Sequence, residues 1–292
     1  MLKQKTTTFD VINVSILGLI AIACVYPFWN ILMVSISDAR SVLAGEIYLW
    51  PRGINADTYE YIFTNQRLGI ATSVYNSVLY TVAGGVFAVA LTYFTAYALS
   101  RRKLVGRRII MATFVFTWVF EAGLIPNYLI LSSLGFVNSR WVMIIPQAIS
   151  TFLLIITRSF LDAIPTELEE SAFIDGANDF QIMTQIFFPL SKPVVATISV
   201  FYAIQIWNNF LVPLIYIRDQ ALKPIQLILY ELVIQPSTEG SGLETIMTDT
   251  MTVVPKNIEA AAVVLGMVPI MLVYPFAQRY FTKGIMIGAI KG

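Results

Sequence analysis

The sequence predicts an all-α integral membrane protein with six transmembrane helices and a polar elbow between the fourth and the fifth. Three observations predict it. The 292 residues are 57% hydrophobic and 13% charged, with a mean hydropathy of +0.72, whereas a soluble domain is nearer half apolar and a quarter charged. The apolar residues gather into six runs of bilayer-crossing length. One stretch, Glu170 to Pro189, breaks this pattern with helix-capping residues at regular stations.

The first run, about 11–34, follows Lys3 and Lys5. It is too long for the apolar core of a secretory signal and no small-residue cleavage site follows it, so it reads as a retained anchor. The remaining runs cover about 73–99, 109–131, 141–160, 193–217 and 258–277. Prolines interrupt several of them (Pro27, Pro126, Pro146, Pro213, Pro269 and Pro275), and each frees a backbone carbonyl that must find a partner inside the membrane. Segments of roughly 40 residues follow the first and fifth runs, long enough to have structure of their own.

Orientation comes from charge. Between the second and third runs, Ser100–Arg108 holds five Lys or Arg residues in nine, and such clusters stay on the cytoplasmic side. Parity then puts both termini and the elbow, 161–192, in the cytoplasm. The elbow was not used to decide the side.

Within the elbow, Thr166 and Glu169 have capping-box spacing and begin a short helix. Gly176 supplies the left-handed residue that ends it. Asn178 with Gln181 begins a second helix, which Pro189 is expected to close.

Composition also excludes chemistry. There is no histidine, and Cys24 is the single cysteine, so imidazole triads, His/Cys metal sites and an internal disulfide are absent. The net charge of +1 gives no basic field for nucleic acid. No GxxxxGK[ST] phosphate loop occurs, so any ATP that drives this protein is bound by another chain. The protein is expected not to be an enzyme.

The elbow resembles the coupling loop of importer permeases of the ATP-binding-cassette class, written EAA, three residues, G, nine residues, I, one residue, LP. Glu170, Ala172, Gly176, Ile186 and Pro189 match with the nine-residue spacer kept, while Ser171 and Phe188 stand in place of Ala and Leu. The segments VYPFWNILMVSIS, GLIPNYLILSSLGFVNS, WNNFLVPLIY and QRYFTKGIMIGAIKG extend the likeness to the sugar-importer branch, and within it to the oligosaccharide-type subgroup that includes alginate importers.

The resemblance implies a single transmembrane permease domain over 1–292 in the bacterial cytoplasmic membrane. It implies pairing with a second homologous permease subunit, two ATPase subunits that bind ATP and Mg²⁺, and an extracytoplasmic solute-binding protein that delivers a sugar. This chain would carry no cofactor of its own. Glu170, Ser171, Ala172, Gly176, Ile186 and Pro189 would couple to the ATPase, and the ending, with Lys291 and Gly292, would reach between the ATPase subunits as in the maltose importer.

Five residues are candidates for the solute path. Glu121 follows twelve mostly apolar residues of the third run, about 18 Å in at 1.5 Å per residue, and intramembrane carboxylates face a cavity or a partner. Asn127 lies close beyond it. Trp207, Asn208 and Asn209 offer a ring and amides, the groups that hold sugar C–H faces and hydroxyls, and equally the groups that hold helices together. Glu121 departs from the small or uncharged residue the resemblance implies there. Two other readings stay open: an importer permease for a non-sugar solute, and an ATP-independent secondary transporter.

Overall fold

The computed structural model describes residues 7–65, 68–234 and 253–288. Regular structure among the described residues is helical throughout. Among the described residues, four helices have the length and apolarity to cross a membrane, or five if one sharply bent pair is a single crossing. The described residues within Met1–Ala71 and Leu229–Val268 form one compact unit, and those within Thr72–Ile228 and Pro269–Gly292 form another.

The first unit opens with α1, Thr8–Ser35. Thr7 and Asp10 cap it reciprocally: the Thr7 N–H donates to Asp10 Oδ2 at 2.8 Å, and the Asp10 N–H to Thr7 Oγ1 at 3.4 Å. Most of α1 is exposed and apolar on every side, as a helix bathed in lipid or covered by a partner must be. Only its end is buried, where Met33 and Val34 pack with Val42, Ile47 and Val254. The Asn257 amide donates to the carbonyls of Val34 (3.0 Å) and Ser37 (2.9 Å). Short helices α2 (Ala39–Leu43) and α3 (Asp57–Thr64) follow, and Tyr59 hydrogen-bonds Ser35 at 2.9 Å.

The second unit is built around α4, Ile70–Ser100. At one end Asn76 donates to the Ala221 carbonyl at 2.8 Å and Tyr80 to that of Leu222 at 2.9 Å. At mid-length the Tyr202 hydroxyl meets Thr92 Oγ1 at 2.6 Å and accepts the Ser150 N–H at 2.8 Å. That joint ties α4, α7 (Thr151–Asp162) and α10 (Phe188–Trp207) together.

Three expected crossings are interrupted. The third run is two helices, α5 (Arg107–Val119) and α6 (Leu124–Ser133), bent by 116° at Phe120–Gly123. Gly123, at φ +82°, permits the bend. The fourth run is a short 3₁₀ turn, Arg140–Met143, then irregular chain through Pro146 until α7 begins at Thr151. The fifth breaks after Trp207 and resumes as α11, Leu211–Tyr216. The elbow contains α8 (Glu167–Ile174) and α9 (Asp179–Gln181). Helices α12 (Ile225–Ile234) and α13 (Pro255–Gly288) complete the described chain.

Candidate functional site

The elbow forms with two differences from the sequence reading. Asn178 and Gln181 make the expected box, each backbone N–H donating to the other's side-chain oxygen at 2.9 Å. Gly176 ends α8 at φ +85°. Thr166, however, has helical backbone angles (φ −69°, ψ −22°) and makes no side-chain cap, and the Glu169 side chain, which would return the reciprocal bond, turns to Arg101. Pro189 does not close the second helix. The chain passes from α9 through a π-helical turn, Ile182–Phe187, directly into α10. The Phe188 N–H reaches back five residues to the Met183 carbonyl, so the ladder is already widened where Pro189 brings a ring and no N–H.

Arg101, in the basic loop after α4, joins the pieces. Its guanidinium meets the Glu169 carboxylate at 2.5 Å, and the two side chains are only 14% and 15% exposed. It also lies over the Phe187 ring at 4.2 Å and the Tyr97 ring at 4.9 Å, and donates to Ser100 Oγ. One side chain therefore touches α4, α8 and the π turn. Beneath it Tyr97, Ala172, Ile182 and Phe187 share a buried cluster, with Ile186 packed at its edge. Tyr97 donates to the Asp179 carbonyl at 3.4 Å and Tyr93 to that of Met183 at 3.3 Å.

The motif residues divide by face. Ala172 is buried, and Ile186 is half-buried, so they anchor the elbow to α4. Glu170, Ser171, Gly176 and Pro189 are exposed. Beside them Ile174 is 86% exposed and Phe180 66%. Two bare apolar side chains at the tip of a polar loop are costly to leave in water. Sequence reasoning missed Arg101 as an individual residue, counting it only as part of a charge cluster, and assigned Glu169 to a cap. Their separation of 68 residues leaves no local signal.

The proposed path residues do not gather in one place. Glu121 is exposed in the α5–α6 break and meets no partner among the described residues; Asn127 is exposed on α6. Trp207 is buried beside an apolar cleft of about 130 Å³ that includes Thr81, Val82, Pro269 and Val273. Asn208 is exposed. Asn209 bridges two helix breaks: it donates to Gln147 Oε1 at 2.7 Å and accepts the Val212 N–H at 3.1 Å. Lys291 and Gly292 lie outside the described residues. No group of acidic or cysteine side chains able to hold a metal occurs among the described residues.

Residues 62–287 match the family described as binding-protein-dependent transport system inner membrane component. The chain is 39% identical over 292 residues to the polygalacturonan/rhamnogalacturonan transport system permease protein YtcP of Bacillus subtilis (strain 168), covering 99% of this chain and 100% of that protein. It is 37% identical to Protein LplC of the same organism, over 97% of this chain and 95% of that one. Among solved structures, one chain of a bacterial ABC transporter involved in the import of the acidic polysaccharide alginate superposes with a TM-score of 0.87 at 30% identity, over 96% of this chain and 100% of that chain.

Proposed function

We infer the task from one premise: this chain belongs to the family of binding-protein-dependent transport system inner membrane components. It is a multi-pass permease subunit of an ATP-binding-cassette transporter and not an enzyme. The solute we propose is a sugar or oligosaccharide. The observation that carries this is the full-length likeness, at 39% identity, to a permease named for polygalacturonan and rhamnogalacturonan transport.

The remaining parts of the proposal are mechanistic. All of 1–292 acts as one membrane domain that crosses six times with both termini in the cytoplasm. The α5–α6 pair makes one bent crossing, and the stretch ending in α7 makes another. The elbow docks on an ATPase subunit through Ile174, Phe180 and the exposed motif residues Glu170 and Ser171. Gly176 sets the angle of the elbow, while Ala172, Ile186 and Pro189 fix its root. ATP and Mg²⁺ stay on the ATPase subunits, and closure of their dimer moves the elbow. Arg101 and the buried tyrosines carry that movement into α4, switching access from one side of the membrane to the other. A second homologous permease completes the pore, and an extracytoplasmic binding protein delivers the solute. Lys291 and Gly292 reach the ATPase interface. Glu121, Asn127, Trp207, Asn208 and Asn209 belong to the path, at breaks where irregular backbone lines a wet cavity.

The test is to reconstitute the assembled complex with its binding protein and screen saccharides for stimulation of ATP hydrolysis. A complex stimulated by oligosaccharides supports the reading. One stimulated only by amino acids or peptides removes the sugar, and transport that needs an ion gradient but no ATPase removes the whole proposal.

A further inference from the structure

A cleft of about 350 Å³ opens between the α4–α5 loop, the end of α7 and the start of α8. Arg101, Arg102, Lys103, Arg107 and Arg158 line it against Asp162, Glu169 and Glu170, a surplus of two positive charges. Two of the cations are already matched by carboxylates. Arg101 is held by Glu169, and Arg158 faces Asp162 at 3.3 Å. Lys103 rests its ammonium over the Phe173 ring at 4.0 Å, a contact that leaves its charge uncompensated. Arg102 and Arg107 meet no carboxylate among the described residues, and Arg107 is half-buried. A guanidinium held partly out of water without a counter-ion favours a bound anion, above all one that takes two parallel N–H donors.

The surroundings say which anion. Between Lys103 and Arg107 the loop presents Val105, 93% exposed, and Leu104, 36% exposed. Arg107 opens α5, whose Ile109 is 74% exposed and Phe116 59%. Cations interleaved with bare apolar side chains at the root of an apolar helix are suited to the headgroup layer, where stems and apolar residues meet acyl chains and charges meet phosphate. We propose that this cleft binds the phosphate of an anionic phospholipid. The phosphate bridges the α4–α5 loop to α7 beside α8, and so fixes the root of the elbow at the membrane surface. This rests on the proposed cytoplasmic placement of the basic loop, where anionic lipid attracts such clusters.

The experiment uses the assembled complex of both permeases and the ATPase subunits. Native mass spectrometry compares retention of phosphatidylglycerol with that of phosphatidylcholine, and saccharide-stimulated ATPase activity is measured in parallel. The wild type should retain phosphatidylglycerol preferentially, R102Q/R107Q should lower that retention by about tenfold or more, and R102K/R107K should keep most of it. Equal retention by the glutamine variant overturns the proposal. Equal thermal stabilisation of lipid-depleted complex by inorganic phosphate overturns it in favour of a free phosphate ligand. Loss of the ATPase subunits from R102Q/R107Q with unchanged lipid retention overturns it in favour of an acidic protein segment. A saccharide-responsive wild type that shows no lipid preference removes this inference and leaves the permease reading standing; an unresponsive one counts against the permease reading instead.

Discussion

Arg101 and Glu169, 68 residues apart, form a nearly buried ion pair whose guanidinium also lies on the Phe187 ring. The pair connects the end of α4 to α8, and the ring connects both to the turn that feeds α10. A displacement of α8 therefore cannot occur without either moving α4 or breaking this contact. Arg101→Gln leaves Glu169 without its counter-ion and should cost on the order of 3 kcal/mol, seen as a lower melting temperature of the purified complex. Arg101→Met with Glu169→Met should recover most of that stability while saccharide uptake stays depressed. Full uptake in the double variant would show that the pair only holds the fold.

Gly176 gives a second prediction, and the cause is backbone strain. Its φ is +85°, and a Cβ added there would meet nothing within 4 Å. Gly176→Val should therefore cost about 1–2 kcal/mol through strain alone, without a clash, and should lower uptake by misdirecting the elbow tip. Gly176→Asn, which tolerates the left-handed region better, should keep most of the uptake. Equal activity of both variants and the wild type would remove the requirement for a left-handed residue.

What the sequence made legible was local. The Asn178–Gln181 box and the Gly176 turn depend on residues within a few positions of one another, and both formed. Hydropathy located the apolar runs but not their breaks, because an average over a window carries no record of backbone path. Phe120–Gly123 and Asn208–Phe210 bring in Glu121, Asn208 and Asn209, too few polar residues to interrupt an average over a bilayer-length window. Pro189 was misread for a related reason: a π turn compensates for it, and that turn is not written in residue type. The Arg101–Glu169 and Asn209–Gln147 pairs are products of tertiary packing.

Asn209 and Gln147 join two helix breaks through one hydrogen bond of 2.7 Å, and Gln147 Nε2 is buried without a partner. Asn209→Leu strands the Gln147 carbonyl and should lower stability by about 1–3 kcal/mol. Adding Gln147→Leu should restore part of it, since no side-chain amide is then stranded, while the Val212 N–H that Asn209 accepts stays without that partner. If Asn209 belongs to the solute path, uptake stays low in the stable double variant. Recovery of uptake with stability would place Asn209 in the scaffold alone.

Sidedness is tested by thiol labelling. Cys24 is exposed, so the background is Cys24→Ser. Val105, at 93% exposure, is a better reporter of the basic loop than Gly106, whose φ of +79° disfavours a side chain. Val105→Cys and Asn178→Cys should react with a membrane-impermeant maleimide only from the cytoplasmic side. Labelling of either from outside intact cells would invert the topology and detach the elbow from any ATPase.

The elbow tip carries the last prediction. Ile174 and Phe180 flank Gly176 on either side of the turn and are 86% and 66% exposed. Neither is among the residues of the cluster beneath the elbow, so replacing them with serine should leave the permease fold unchanged, within about 0.5 kcal/mol. Burying both in a partner's cleft would contribute on the order of 3 kcal/mol, enough to change the occupancy of an ATPase subunit by more than a hundredfold. The Ile174→Ser and Phe180→Ser double variant should therefore insert and pair with the second permease normally but lose the ATPase on affinity purification. Serine variants that retain the ATPase and import saccharide at the wild-type rate would mean that the elbow does not dock through its tip, leaving Glu170, Ser171 and the tail to hold the partner.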